Sequence, residues 1–249
     1  MYQKERVDEI LKILHENNYV NVKYLCDEIG YSKATINRDL NYMEEQNLIV
    51  RSYGGVELVD NNQYVPLRFR YHKMKNEKKR IGKAAAELVK DGDTIFIDSS
   101  STTEYMAPYL VDKKDLTVIT SNIAIVTYLS EHPHIRTICM GGEILESPSL
   151  LGGDLCVKNI LEYKTDKLFF ASLGICDNGE IVGTGMYSLP VKAMMQNSNK
   201  SIYMADHEKI NFTAKAVITR VEHVDVIVTD YKFSDEFKAK YKHTEFVEV

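Results

Sequence analysis

The chain has 249 residues, of which 44% are hydrophobic and 27% are charged, and its formal net charge is −5. This composition is ordinary for a globular protein and excludes a disordered or fibrous chain. No segment approaches the roughly 20 apolar residues that a membrane span needs. Charged residues also occupy the start of the chain, where a signal peptide would place its apolar run. We therefore expect a cytoplasmic protein without a membrane partner.

The four cysteines, Cys26, Cys139, Cys156 and Cys176, are widely separated. Because they form no Cys-x-x-Cys pair, they favour reduced, buried thiols over a zinc ribbon or a redox motif. The seven histidines are scattered as well, and their spacing does not predict a metal site. We expect neither a metal nor a cofactor.

Positive charge is concentrated in one short segment. Residues 1–60 carry 7 Lys or Arg against 11 Asp or Glu, residues 61–90 carry 9 against 2, and residues 91–249 carry 15 against 23. Charge alone therefore does not identify a nucleic-acid-binding segment. The basic segment fits a solvated helix face and, equally well, an element near DNA phosphates that supplies sequence-independent attraction.

The beginning of the chain has the pattern of three helices. Apolar residues spaced i, i+3, i+4, i+7 predict a first helix over residues 3–17. Asn21 is suited to cap a short second helix that ends at Gly30, and Ser32 to cap a third that runs to about residue 46. Helices joined by a tight glycine-containing turn make a helix-turn-helix.

A β-hairpin is predicted directly after the third helix. A strand over 48–51, a tight turn at Gly54 and Gly55, and a return strand over 56–59 form this hairpin. In this position a hairpin is a wing, and it carries Arg51 and Tyr53 to where they can reach a sugar-phosphate backbone.

The third helix has one face suited to packing in a core and an opposite face suited to binding. Ile36, Leu40 and Met43 lie on one stripe, which predicts that they are buried, and Arg38 projects from the opposite side. Guanidinium, amide and hydroxyl groups read base edges and hold phosphates. A solvated polar face explains this helix alone equally well, but the wing favours DNA binding. The candidates on the exposed face and the wing are Thr35, Asn37, Arg38, Asn41, Arg51 and Tyr53.

From residue 91 onward, short apolar strands alternate with helices. This pattern predicts an α/β fold with a doubly wound, mostly parallel sheet. The predicted strands are 94–97, 116–119, 136–139, 168–173, 201–204 and 224–228.

Two strand ends are rich in hydroxyl and amide groups, at DSSSTT (residues 98–103) and at TSN (residues 120–122). Ligands bind beyond the carboxyl ends of such strands, and helix N-termini favour phosphate. For TSN, ordinary helix capping is the better interpretation. The longer run favours phosphate over capping, with donors from Ser99, Ser101, Thr102 and Thr103. Lys192 is placed to neutralise an anion, and Lys209 fits a ligand or a surface ion pair equally well.

Together these segments resemble the DeoR family of sugar-metabolism repressors. The resemblance rests on ERVDEIL, SKATINRDL and LIVRSYGG, followed by DGDTIFIDSSSTT, VITSN, MGG, SLLGG, FFASLGI, VKAMM, DHEK and VTD. These motifs occur in the family's order over nearly the whole chain. The resemblance implies a winged helix-turn-helix, a sensor domain similar to ribose-5-phosphate isomerase, a phosphorylated sugar or polyol as effector, and repression of a carbohydrate catabolic operon.

The resemblance also extends the candidate residues, although Asn37 stands where the family usually has Arg and Ser100 where it usually has Gly. The full DNA-binding set is Ser32, Lys33, Thr35, Asn37, Arg38, Asn41, Arg51, Tyr53 and Gly55. The full effector-binding set is Asp98, Ser99, Ser100, Ser101, Thr102, Thr103, Asn122, Gly141, Gly142, Lys192 and Lys209.

We expect a winged helix-turn-helix over residues 1–60, a basic linker over 61–76 and an effector-sensing domain over 77–249. Because one acidic DNA-binding domain should hold a half-site weakly, we expect a homodimer or homotetramer on double-stranded operator DNA. We do not expect an enzyme. The alternatives are a sugar-phosphate isomerase or deaminase, for which Asp98 has no evident general-base partner, and a protein-interaction module.

Overall fold

The computed structural model describes residues 2–17, 19–46, 48–52, 55–58, 70, 73–145, 150–214 and 216–249. The chain divides into two compact units, Met1–Lys73 and Met74–Val249, called here the first and second unit. Most of the predicted basic linker, residues 61–76, lies outside the described residues.

The first unit is a winged helix-turn-helix. Its helices and strands are α1 (Gln3–Asn17), β1 (Tyr19–Asn21), α2 (Val22–Ile29), α3 (Lys33–Glu45), β2 (Ile49–Ser52) and β3 (Gly55–Leu58). The strands form one antiparallel sheet in the order β1-β3-β2. Asn21 caps α2 by accepting from the Tyr24 backbone N–H at 2.8 Å, and Gly30 ends that helix with a φ of +74°. The three predicted helices are confirmed.

A single apolar core holds the first unit together. The predicted stripe of α3 is fully buried in it, together with one face of α1 and Leu25 of α2. Burying each such side chain stabilises the fold by about 1.5–3 kcal/mol. The central residues of this core are Ile10, Leu14, Leu25, Ile36, Leu40 and Met43.

The second unit is built from alternating strands and helices. Its α-helices are α4 (Lys75–Glu87), α5 (Ile123–Ser130), α6 (Gly153–Leu161), α7 (Leu189–Gln196) and α8 (Asp235–Lys240). Its strands are β4 (Thr94–Ile97), β5 (Thr117–Thr120), β6 (Arg136–Cys139), β7 (Glu143–Ile144), β8 (Leu151–Gly152), β9 (Thr165–Phe170), β10 (Gly174–Ile175), β11 (Glu180–Gly183), β12 (Ser198–Ala205), β13 (Ala216–Arg220), β14 (Val226–Thr229) and β15 (Glu245–Glu248). The 3-10 helices are Thr103–Tyr109, Gly185–Ser188, His207–Lys209 and Val221–His223.

Seven of these strands form one parallel sheet in the order β15-β14-β12-β9-β4-β5-β6. The chain starts in the middle at β4, moves to one edge through β5 and β6, and then returns to β9 and moves to the other edge. This is the predicted doubly wound α/β arrangement. Its strand order reverses between β4 and β9, and such switch points are where open α/β sheets bind ligands.

Alternate residues of each strand enter two separate cores on the two faces of the sheet. Ile95 and Ile97 of β4 pack with α4, the 3-10 helix Thr103–Tyr109 and α5. Phe96 points to the other face, which α6 and α7 cover. This period of two explains why strands buried on both faces read as continuous apolar runs.

Several elements of the second unit differ from the prediction. The helix after DSSSTT is a 3-10 helix, Thr103–Tyr109, with Pro108 inside it. The strand predicted over 168–173 is instead β9, which ends at Phe170. A small antiparallel sheet of β10, β11 and β13 was not predicted.

Two further expectations concern the burial of the cysteines and the absence of a membrane span. All four cysteines are free, and Cys156 and Cys176 are buried, as predicted; Cys26 is only partly buried and Cys139 is exposed, so the predicted burial is wrong for Cys139. Within the residues that the structure describes, no helix is long and apolar enough to span a bilayer.

Candidate functional site

Helix α3 presents a polar face to solvent. Lys33, Ala34, Arg38 and Asn41 are exposed, whereas the apolar stripe on the opposite side is buried. Ser32 caps the helix: its Oγ accepts from the Thr35 backbone N–H at 3.3 Å and lies 3.0 Å from the Thr35 hydroxyl. The N-terminal end of α3 therefore carries two adjacent hydroxyls beside an exposed lysine.

A buried ion pair that the sequence analysis missed fixes the orientation of α3. The Arg6 guanidinium on α1 donates to both carboxylate oxygens of Asp39, at 2.7 and 3.0 Å, and its carbon lies 5.0 Å from the centre of the Tyr31 ring. Asp39 has no exposed side-chain surface. Because a carboxylate is buried only when it is paired, this bidentate contact ties α1 to α3.

The wing contacts α3 through Arg51. Its Nη2 donates to the backbone carbonyl of Asn37 at 3.0 Å, its Nη1 lies 3.4 Å from the Asn37 side-chain oxygen, and its Nε lies 3.6 Å from a carboxylate oxygen of Glu44. Two residues predicted to contact DNA therefore contact each other. Gly55 lies in β3 and packs so closely against the Tyr19 ring that a Cβ at position 55 would come within 2.1 Å of it. Tyr53 lies outside the described residues.

In the second unit, Asp98 anchors the DSSSTT segment, residues 98–103, at the switch point between β4 and β9. Its backbone N–H donates to Phe169, and one carboxylate oxygen accepts from the Ala171 N–H at 3.1 Å. The other accepts from the Ser100 N–H at 3.1 Å and from the Thr103 hydroxyl at 2.6 Å. Burial raises the pKa of Asp98, and these hydrogen bonds oppose the rise. Both of its carboxylate oxygens therefore shape the loop.

The hydroxyls of this loop divide into two groups. Ser99 shares a hydrogen bond with Ser121 at 2.6 Å, and the Ser100 hydroxyl lies 2.9 Å from that of Thr103, so these groups hold the loop to itself and to the next strand end. Ser101 and Thr102 instead face lysines.

Two ammonium groups converge on these neighbouring hydroxyls. Lys78 Nζ donates to Ser101 Oγ at 3.1 Å, and Lys209 Nζ donates to Thr102 Oγ1 at 3.0 Å. Lys78 is only 2% exposed. Two positive charges at a hydroxyl-rich turn beyond the carboxyl ends of parallel strands make a site chemically suited to an anion.

His207 and Asp230 hold the segment that carries Lys209. The carboxylate of Asp230 accepts from the His207 backbone N–H and bonds its Nδ1, both at 2.7 Å. That hydrogen bond raises the pKa of His207. Arg80 Nη2 of α4 lies 3.7 Å from the same carboxylate. Groups that follow β12 and β14 are thus joined at the same edge of the sheet.

The chain matches two family models, a DeoR-like helix-turn-helix domain over residues 6–62 and a DeoR C terminal sensor domain over residues 73–231. The chain belongs to the DeoR family. It is 31% identical over 231 residues to the HTH-type transcriptional repressor GlcR of Bacillus subtilis, covering 92% of this chain and 89% of that protein. It is 29% identical to the glycerol-3-phosphate regulon repressor of Escherichia coli, covering 92% of each chain. Among solved structures, ribose 5-phosphate isomerase from Methanocaldococcus jannaschii is similar with a TM-score of 0.40 at 17% identity, over 55% of each chain.

The protein is therefore a DNA-binding transcriptional regulator, in agreement with the expectation from sequence. Its relatives are named as transcriptional repressors, so the isomerase or deaminase alternative is not favoured. Within the described residues, no group of His, Cys, Asp and Glu is arranged to hold a metal ion.

The remaining predicted effector residues of this DeoR-family regulator do not share one structural role. Asn122 caps α5 by accepting from the Ala124 N–H at 2.8 Å, as ordinary capping predicts, and its amide reaches Glu104 at 3.2 Å. Gly141 and Gly142 follow β6 with φ of +64° and +117°, which favours glycine at both positions. Lys192 is exposed on α7, and the described residues show no hydrogen bond from it to the loop.

Lys78, a functional candidate, and Asp39, a structural residue, are buried charged residues that the sequence analysis missed. Each lies on the buried stripe of its helix: Lys78 precedes Ile81 by three residues, as Asp39 follows Ile36 by three. The sequence did contain a signal for both residues: each is a charged residue at a helix position that the apolar periodicity predicts to be buried.

Proposed function

We propose that this protein represses a carbohydrate catabolic operon and that a phosphorylated sugar or polyol controls its affinity for operator DNA. The observation that carries the proposal is the pair of ammonium groups, from Lys78 and Lys209, on the neighbouring hydroxyls of Ser101 and Thr102. A phosphate ester offers several strong acceptor oxygens and a charge of nearly −2, which this pair would balance.

The DNA-binding part of the proposal rests on the exposed face of α3. Arg38 and Asn41 would read base edges, while Lys33 and the hydroxyls of Ser32 and Thr35 would hold phosphates. Arg51 and Asn37 would act as a pair that sets the wing against α3. We further propose a homodimer or homotetramer, because the linked first units of several chains gain effective concentration on paired half-sites.

The proposed effector site also explains why several predicted residues would act indirectly. Asp98, Ser99, Ser100 and Thr103 would form the frame of the loop, since their polar groups bond one another or Ser121. Asn122, Gly141 and Gly142 would shape the neighbouring strand ends. Direct contacts to the phosphate would then come from Ser101, Thr102, Lys78 and Lys209, with Lys192 at the rim.

A thermal-shift experiment on the full-length protein tests the proposal. The probes are glycerol 3-phosphate, glucose 6-phosphate, fructose 6-phosphate and ribose 5-phosphate, each paired with its unphosphorylated parent. A ligand that binds only the folded protein stabilises it by about 2.7 kcal/mol at a hundredfold excess over its Kd. We expect at least one ester to raise the Tm while its parent does not.

The variant Thr102→Glu should abolish that shift, because its carboxylate would occupy the anion site beside Lys209. Thr127→Glu, at an exposed threonine of α5, is the matched control and should keep it. Operator binding by both variants would show that the first unit remains folded. If the neutral parents stabilise the protein and their esters do not, the site takes a ligand without phosphate and the proposal is wrong.

A further inference from the structure

Helix α4 connects the candidate effector loop to the start of the second unit. The helix begins at Lys75, one residue after the boundary between the two units, and its first turn carries Lys78. Through the hydrogen bond of Lys78 to Ser101, that turn lies at the carboxyl edge of the sheet. The chain therefore enters the second unit at the edge where we propose that the effector binds.

A second contact joins α4 to the same loop. Gly82 packs against the backbone of Tyr105, since a Cβ on Gly82 would lie 2.7 Å from the Tyr105 carbonyl carbon and oxygen. Tyr105 belongs to the 3-10 helix Thr103–Tyr109, which continues directly from the loop. This close backbone contact holds α4 at Gly82 against the 3-10 helix, whereas Lys78 contacts the loop itself from the first turn of α4.

The start of α4 lacks a side-chain cap. Met74, at the N-cap, has a left-handed φ of +54° and provides no side-chain cap. For a residue other than glycine this conformation is strained. The Lys78–Ser101 hydrogen bond is thus one restraint on a first turn whose N-cap side chain makes no capping hydrogen bond.

We propose that Lys78 is a positioning residue that couples the loop to the first turn of α4 and thereby transmits effector occupancy to the chain leading to the first unit. The proposal rests on the proposed function for its ligand. A bound phosphate is a stronger acceptor than the Ser101 hydroxyl, so it draws the Lys78 ammonium away from Ser101. The first turn of α4 then changes position with the lysine.

The ligand-free protein provides the first test, by hydrogen exchange of the full chain. Ser101→Ala removes one acceptor of Lys78 and should speed exchange of the α4 amides at residues 78–81 by about tenfold, the effect of losing one hydrogen bond to a charged group. Lys79→Met, at an exposed neighbour on α4, is the control and should leave exchange in the loop at residues 101–104 unchanged. Unchanged exchange at residues 78–81 in Ser101→Ala would overturn the proposal.

The second test measures operator affinity with and without whichever of the four esters stabilises the parent protein most, at saturation. Coupling between two sites typically changes affinity about 5- to 150-fold. In Lys78→Met the ratio of operator Kd with ester to operator Kd without ester should change by less than about twofold, even at saturating ester. Lys79→Met should keep the ratio of the parent protein. If Lys78 only binds the ligand, Lys78→Met would show a reduced change in operator Kd at low ester and the full change of the parent at saturation. That result would contradict coupling.

The two proposals fail in different ways. If none of the esters stabilises the parent protein, the proposed function is wrong, and the exchange comparison still decides whether Lys78 couples the loop to α4. If the parent responds and Lys78→Met responds equally at saturation, the proposed function stands and the coupling role of Lys78 is wrong.

Discussion

Removing Arg38 should weaken operator binding without harming the fold. The side chain is exposed on α3, and among the described residues it makes no hydrogen bond or ion pair. The change Arg38→Ala therefore removes a group that contributes little to the packing of the first unit. Loss of one good base contact amounts to about 1–3 kcal/mol, or about 5- to 150-fold in Kd.

The size of this effect depends on how many copies of the first unit bind the DNA. On a paired site bound by a dimer, the loss occurs twice and should reach about 2–6 kcal/mol, whereas a single half-site should show about half of that. Fluorescence anisotropy on an operator selected from random DNA measures both. Lys4→Ala, an exposed cation on α1, is the matched control and should bind like the parent. If Arg38→Ala binds as tightly as the parent while a circular dichroism spectrum shows it folded, α3 does not read DNA through this face.

Three further predictions follow from particular contacts. Lys209→Met should abolish stabilisation by the phosphate esters in a thermal shift. Lys192→Met, whose lysine makes no hydrogen bond to the loop within the described residues, should weaken that stabilisation much less; equal losses would contradict the placement of Lys209. Asp39→Asn should destabilise the first unit by about 1.5–3 kcal/mol, because Arg6 loses its charged partner, and should lower the urea midpoint for loss of operator binding while exposed Asp27→Asn does not. The hydrogen bond to Asp230 raises the pKa of His207 above its ordinary 6.5, so the stability that this pair contributes is fully present below pH 6.5 and is lost as pH rises through the raised pKa. Over that pH range the Tm of the parent should fall more than the Tm of His207→Gln. Parallel Tm profiles of the two proteins would exclude this contribution.

Much of the fold could be predicted because its signals are local. The bounds of α1, the caps at Asn21 and Ser32, and the buried stripe of α3 follow from helical periodicity and capping chemistry within a few residues. The alternating strands and the reversal of strand order follow from apolar run lengths and connectivity. The small sheet of β10, β11 and β13 was missed, because β13 pairs with a strand that lies more than 30 residues earlier.

The site was predicted less completely, because its decisive contacts join distant parts of the chain. Lys209 meets Thr102 across 107 positions and Lys78 meets Ser101 across 23. Nothing local to DHEK distinguishes such a lysine from a surface residue. Arg51 was assigned to DNA on its position in the wing alone, and its contact with Asn37, 14 residues earlier, becomes visible only when the hairpin is placed against α3.

The central claim is that a phosphate ester bound in the second unit changes how tightly the first unit holds operator DNA. Its most direct test is the operator Kd of the full-length protein, measured by anisotropy with no ligand, with each phosphate ester at saturation, and with each unphosphorylated parent. We expect at least one ester to change the Kd by about 5- to 150-fold while its parent leaves it within about twofold. A Kd that responds to the neutral parents and not to their esters, or to neither, would contradict the claim.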